Sequence, residues 1–288
     1  MNRAKSIFVS AANMVWAYFT YIFIKDIIIN GYSLSGMGLF LVSLFPLTFF
    51  MVLLALKPVA RTSRSLNVFT ILVLVGLVLI STEFYQGNTS VYYLAVGISS
   101  LALWVLYVYW YSNFPASRSD IKVGNYLPEL TFTGNDGELV SSTDFLGKKV
   151  LYMFYRGNWC PLCMAQIKEI SAQYQELEKR GVEVLLISPQ PVRHSVALAK
   201  KMKVNFKFLT DVNNAMAREL KIDLDHGLPL GMEVFGYKSE TVLPTVIITD
   251  EEGKIIFLDQ TDNYRVRPEP ETFLNVLDAQ LSTPDSID

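Results

Sequence analysis

The sequence predicts a chain in two parts, an all-α membrane domain of four helices followed by an α/β domain, and three observations predict it. Charge is divided unevenly: residues 1 to 119 hold seven basic residues (Arg3, Lys5, Lys25, Lys57, Arg61, Arg64, Arg118) and two acids (Asp26, Glu83), leaving 18 basic and 25 acidic residues for the rest. The first half is a series of long apolar stretches almost free of charge. The second half, from Lys148 onward, alternates short apolar runs with amphipathic ones. Hydrophobic residues make up 51% of the chain and charged residues 18%, which excludes a disordered chain and a simple soluble enzyme. An acidic second half argues against nucleic acid as a partner, because neutralising phosphates needs a clustered positive surface.

Four spans are expected, at about 6–24, 34–56, 65–82 and 91–111, within a membrane domain of residues 1–112. A helix needs roughly 20 apolar residues to cross about 30 Å of hydrocarbon, and each stretch meets that length. The first run is too long, and too charged on its far flank at Lys25 and Asp26, for a cleaved signal peptide. Lys25 and Asp26 themselves read as an interfacial pair. Asn13 reads as a helix-to-helix hydrogen bond, and the crowd of Trp104, Tyr107, Tyr109, Trp110 and Tyr111 as an interfacial belt. Lys and Arg gather at the N-terminus and between Lys57 and Arg64, the pattern of cytoplasmic segments. With an even number of spans the second half faces the cytoplasm, on a bacterial inner membrane. A linker, 113–123, leads out past Pro115.

In the second domain, 124–288, Val150 to Tyr155 is a fully apolar run ended by Arg156, Gly157 and Asn158, the pattern of a buried strand. A helix follows, with Met164, Ile167, Ile170, Tyr174 and Leu177 on one face and a stop at Arg180 and Gly181. Val182 to Ile187 is the next strand, closed by Pro189. A helix over His194 to Met202, a strand near Phe206 to Leu209 and a helix from Asn213 to Leu220 continue the alternation. Thr245 to Thr249 and Lys254 to Leu258 form a hairpin, and Pro268 to Leu281 a closing helix with Pro and Glu in its first turn. Lys200, Lys201, Lys203 and Lys207 read as a solvated face.

The chemistry concentrates at one turn. Trp159, Cys160, Pro161, Leu162 and Cys163 place both cysteines of the chain where a buried strand ends and a helix begins. There the first thiol faces unpaired backbone N–H groups, which favour its thiolate, and the second lies within one turn, close enough to resolve a mixed disulfide. Pro161 suits a first helical turn, Arg156 adds positive charge, and Trp159 shields the pair. Pro244, lacking an N–H before a core strand, reads as a cis-proline that faces the thiols and docks a partner backbone.

These residues carry a resemblance. Gly124, Pro128, Phe132, Asp136, Gly137, Phe145 and Gly147, then Phe154 to Cys163 (FYRGNWCPLC), Ile187 to Pro189, Asp211, Leu243-Pro244 and Ile248 to Gly253 resemble the alkyl hydroperoxide reductase/thiol-specific antioxidant family, the peroxiredoxin-like family, in its CxxC-bearing branch. The resemblance covers about residues 120–280 and implies a thioredoxin-like fold, a central mixed sheet flanked by helices. Family enzymes hold peroxide with a Thr or Ser three residues before the peroxidatic cysteine and with a distant arginine. If Cys163 takes the peroxidatic place, Cys160 occupies the Thr position. Arg265 and Arg267 remain as candidates for the arginine, and their spacing selects neither.

Three functions follow. The leading expectation is a membrane-anchored thiol–disulfide oxidoreductase, with Cys160 as nucleophile, Cys163 as resolving thiol, and a protein or small-molecule thiol or disulfide as partner. A thiol peroxidase on the same cysteines, acting on peroxide, is the alternative. A metal-binding module of the CxxC pair with His194 and His226 is a third class. No cofactor and no resident metal are expected.

Overall fold

A computed structural model describes residues 3–56, 59–114, 119–202 and 204–281. The four apolar stretches are helices α1 (Arg3–Asn30), α2 (Leu34–Leu56), α3 (Asn67–Tyr85) and α4 (Val91–Val105), the last continued by a π-helical turn, Leu106–Tyr111. All four, counting α4 with its π turn, are long and apolar enough to cross a membrane. Helices α2 and α3 cross at a pair of glycines: a Cβ on Gly76 would lie 2.8 Å from the Gly38 carbonyl oxygen, and one on Gly38 2.7 Å from that of Gly76. Small residues are what let two backbones approach so closely in a bundle. Gly76→Leu is therefore expected to lower stability by about 1–3 kcal/mol through overpacking, read as a lower unfolding midpoint of the detergent-solubilised full chain. An unchanged midpoint would contradict the crossing.

Three expectations about the spans are corrected. Lys25 is exposed while Asp26 is buried and accepts hydrogen bonds from Asn30 Nδ2 at 2.7 Å and Tyr93 OH at 2.8 Å. Adjacent helical residues do not share a face, so neighbours in sequence need not pair. Among the described residues Asn13 makes no bond to another helix: its Nδ2 donates to Val9 O, one turn back, at 2.8 Å. The aromatic crowd is mostly core. Trp104 and Tyr107 are fully buried and Tyr111 nearly so, packed edge-on against Phe49 and Phe50, with Trp104 Nε1 donating to Thr70 Oγ1 at 3.0 Å. Tyr109 alone of the five is strongly exposed.

The second domain is built on a seven-stranded sheet in the order β2-β1-β5-β4-β3-β8-β9, with β1 Thr131–Thr133, β2 Leu139–Ser141, β3 Lys149–Phe154, β4 Val182–Ser188, β5 Lys207–Thr210, β8 Thr245–Thr249 and β9 Ile255–Gln260. Strands β3, β4 and β5 are parallel; β8 runs antiparallel beside β3, and β9 antiparallel beside β8. Helices α5 (Pro161–Ala172), α6 (Tyr174–Lys179), α7 (Val192–Lys201), α8 (Ala215–Glu219) and α9 (Pro270–Leu281) complete the mixed, thioredoxin-like architecture, and β6 (Asp223–Leu224) pairs with β7 (Thr241–Val242) apart from the main sheet. Every residue of β3 and of β8 is buried, as continuous apolar runs require. The single helix expected after Cys163 is two, α5 and α6, parted at Gln173.

The domain sits on one end of the helical bundle. Arg265, fully buried, donates to Ser63 O and Arg64 O, each at 2.7 Å, and to Ser112 Oγ at 2.9 Å. Tyr107 OH lies 2.5 Å from Tyr264 OH, Arg61 pairs with Glu169, and Arg64 pairs with Asp262 at 2.6 Å. The N-terminal turns of α1 join through Leu230 N–H to Ser6 O at 3.1 Å. The start of the expected linker is packed: Phe114 N–H donates to Asp262 O at 2.7 Å. Residues 115–118 of that linker, with Lys57 and Lys203, lie outside the described residues.

Candidate active site

The two thiols meet at the C-terminal end of β3. Cys160 caps α5, its sulfur accepting from Cys163 N–H at 3.4 Å, and Pro161 opens the helix. The sulfurs lie 2.8 Å apart and both cysteines are buried. Arg267 Nη2 approaches Cys163 Sγ at 3.6 Å, while its Nη1 donates to Gln166 Oε1 at 2.9 Å and its Nε to Tyr264 O at 3.1 Å. The guanidinium is thus locked by α5 itself, one turn beyond the thiol it faces.

The electrostatics differ from the sequence expectation. Burial pushes the Cys160 thiol well above its ordinary range, and the neighbouring Cys163 adds to the rise. Burial acts in the same direction on Cys163 but is outweighed by the hydrogen bond with Cys160, the charge of Arg267 and the backbone N–H of Arg156, which together hold it at about 5. The more acidic thiol is therefore the second, not the first. A helix N-terminus favours both sulfurs, but among the described residues a guanidinium is in contact with Cys163 and not with Cys160, and a nearby full charge exceeds the partial charges of a helix end.

Arg156 is 3% exposed. Its guanidinium lies 4.6 Å from the Trp159 ring centre and donates to Gly227 O, but its Nε has no partner among the described residues. Gly157, at φ 139°, is needed here, because a Cβ would fall 2.8 Å from Trp159 Nε1. Trp159, Cys160 and Pro161 form one wall of a cavity of about 230 Å³ that also reaches residues of α1 and α2. Pro244 is a correction: no peptide bond in the described chain is cis, and the proline is buried and absent from that cavity. Leu243 N–H before it donates to Ile222 O at 2.7 Å, tying it to the β6–β7 excursion rather than leaving it open to a partner.

His194 stacks on Tyr237 at 4.5 Å and His226 is exposed. Among the described residues the only close trio of metal-ligand types is Asp223, Asp225 and Glu240, so the cysteines and histidines do not form a ligand set. Arg267 and Gln166 went unassigned in the sequence because nothing local marks them. The one available signal was the need for a distant arginine, which left Arg265 and Arg267 equal; the structure uses Arg265 to clasp the 62–64 loop and Arg267 to face the thiol.

The AhpC/TSA family model matches residues 123–258, beginning after the four long helices. A Coxiella burnetii protein named peroxiredoxin bcp is 30% identical over 135 residues, which are 47% of this chain and 85% of that protein. Peroxiredoxin Bcp of Escherichia coli K12 is 32% identical over 102 residues, 35% of this chain and 65% of the relative. Among solved structures, peroxidoxin BcpB from Mycobacterium tuberculosis aligns with a TM-score of 0.47 at 19% identity, covering 55% of this chain and 97% of that one.

Proposed function

The chain belongs to the AhpC/TSA family, and on that premise we propose that it is a membrane-anchored thiol peroxidase in which Cys163 is the peroxidatic thiol and Cys160 the resolving one. One observation carries the assignment: Arg267 Nη2 lies 3.6 Å from Cys163 Sγ. A guanidinium there favours the attacking thiolate and also the oxygen that becomes negative as the O–O bond breaks. This reading replaces disulfide exchange initiated by Cys160 as the leading function, since exchange alone needs no buried arginine on the second sulfur.

The Cys163 thiolate attacks the terminal peroxide oxygen, the O–O bond breaks, and the departing oxygen takes up a proton to leave as water or an alcohol. Cys163 is left as a sulfenic acid. Cys160, 2.8 Å away, attacks that sulfur, forming the disulfide while the sulfenic oxygen leaves as water with the Cys160 proton. A protein or small-molecule dithiol then reduces the disulfide by exchange.

Reduced full chain mixed with one equivalent of hydrogen peroxide is expected to lose both free thiols and gain one internal disulfide, followed by thiol titration and intact mass. Thiols that persist against peroxide but exchange with a small disulfide would return the function to disulfide exchange. For location, the four helices span the membrane and the catalytic domain faces the cytoplasm, at the bundle end carrying the N-terminus and Arg61 and Arg64. Protease should reach it in inside-out but not right-side-out vesicles.

A further inference from the structure

We propose that the end of the helical bundle remote from the thiols holds a lipid headgroup site, in which the buried carboxylate of Asp26 takes the primary ammonium of phosphatidylethanolamine. The inference rests on the reading that the four helices span a membrane, and not on the chemistry of the cysteines. Asp26 lies about 20 Å along α1 from Asn13, at about 1.5 Å per residue, and Asn13 lines the cavity at Cys160. It is 4% exposed. One of its oxygens, Oδ1, accepts twice, from Asn30 Nδ2 at 2.7 Å and from Tyr93 OH at 2.8 Å. The other, Oδ2, is buried with no hydrogen-bond partner among the described residues, and Lys25, next in sequence, is exposed. A carboxylate at membrane depth is costly unless something pairs with it, which makes it a marker of function.

That oxygen adjoins a cavity. Between α1 and α2 lies a space of about 490 Å³, walled by Phe23 and Ile27 of α1 and by Met37 and Phe40 of α2, with Ser33 and Gly36 also in its lining. Gly36 stands between the cavity and the carboxylate: a Cβ on it would lie 3.1 Å from Asp26 Oδ2 and 3.1 Å from Ser33 Oγ. Because this residue has no side chain, the two oxygens face an open notch. An occupant that satisfies Oδ2 must bring a hydrogen-bond donor, and the negative charge favours a cationic one. Its remainder must be apolar, to lie against the four large side chains of the walls.

Depth selects the class of lipid. Ile24, Ile28 and Ile29 are exposed, so apolar side chains face outward on both sides of Asp26 along the helix. Helix α1 ends at Asn30, about 6 Å further on. A residue so close to the end of a span lies in the layer where headgroups meet acyl chains. A primary ammonium has three N–H donors and a full positive charge. There it donates to Asp26 Oδ2 and to Ser33 Oγ, while an acyl chain runs along Phe23, Ile27 and Phe40. The trimethylammonium of phosphatidylcholine has the charge but no N–H, and leaves both oxygens without a donor.

The test uses the full chain in dodecyl maltoside with phosphatidylethanolamine or phosphatidylcholine of matched acyl chains, read by lipid retained in native mass spectrometry and by the thermal unfolding midpoint. The ethanolamine lipid is expected to be retained about tenfold over the choline lipid, the scale of one charge-assisted hydrogen bond, and to raise the midpoint by binding the folded state. Asp26→Asn keeps an oxygen for Asn30 and Tyr93 but turns Oδ2 into a donor, and Gly36→Ala puts a methyl in the notch. Each is expected to bring the retention ratio to about one, within roughly twofold. Glu83→Gln, at the other acid of residues 1 to 119, is expected to keep the preference, and free ethanolamine, which has no acyl chain, to leave the midpoint unmoved. Should Gly36→Ala fail to fold, Asp26→Asn alone decides. The inference is overturned if the wild-type chain retains both lipids equally, if Asp26→Asn keeps the preference, if Glu83→Gln loses it, or if free ethanolamine stabilises as well as the lipid. Release of the chain from cell membranes by alkaline carbonate would instead remove the spanning reading, and this inference with it.

Discussion

Cys163→Ser is expected to lower peroxide-driven oxidation by about 10³-fold or more, the scale seen when a nucleophile is deleted, whereas Cys160→Ser keeps the first step and loses turnover. The geometry makes the two variants unequal. Removing Cys163 leaves the Cys160 thiol, which burial holds well above its ordinary range and which lacks the direct guanidinium contact. Removing Cys160 leaves Cys163 beside Arg267, able to attack but without a partner 2.8 Å away to close the disulfide. A sulfenic acid should then persist on Cys163 and be captured by a dione reagent, found by mass spectrometry at that residue. The reverse pattern, an inert Cys160→Ser and a sulfenic acid on Cys160 in Cys163→Ser, would exchange the two roles and restore Cys160 as the nucleophile.

Arg267→Met is the second large effect, and its signature is a pH profile. The rate follows the thiolate fraction of Cys163. With that thiol held at about 5, the wild-type rate should rise with pH through about 5 and level off by neutrality. Loss of the guanidinium removes a cause that lowers the value, so the midpoint moves upward. If it moves the whole way to an ordinary thiol, near 8.5, only about 3% is ionised at pH 7, a fall of roughly 30-fold. Raising the pH to about 9 should recover most of that part. Arg267→Lys keeps the charge without the fork to Gln166 and Tyr264, and should recover part of the lost rate at pH 7. A variant with the wild-type midpoint and rate would show that Arg267 only packs.

The sulfur site was legible because its signal is local. An apolar strand, a turn and a helix-opening proline lie within a dozen residues, and each is set by near neighbours. The short strands β1, β2, β6 and β7, of two or three residues each, carry too little pattern to stand out. The expected element over Asn213 to Leu220 is helical only from Ala215, because Asn213 and Asn214 adopt left-handed backbone at φ 57° and 58°. Asparagine is one of the few side chains that tolerate that region.

The helical half teaches the same lesson from the other side. Its four helices were visible, since length and apolarity are properties of a window of sequence. What each polar or aromatic residue faces was not. Trp104 and Tyr107 have the composition of a lipid-interface belt and the placement of a core, because Phe49, Phe50 and Phe69 of neighbouring helices pack on them and Tyr264 and Arg265 of the second domain meet Tyr107.

The sequence alone determined two parts of opposite character and a dithiol at a strand-to-helix turn, all features encoded by residues a few positions apart. Only tertiary structure brought a guanidinium to one of the two thiols and a cavity to the other. Arg267 reaches Cys163 across 104 positions, and Asn13 shares a cavity with Cys160 from the far end of the chain. Such meetings depend on how distant segments pack, and packing leaves no periodic trace in the order of the residues.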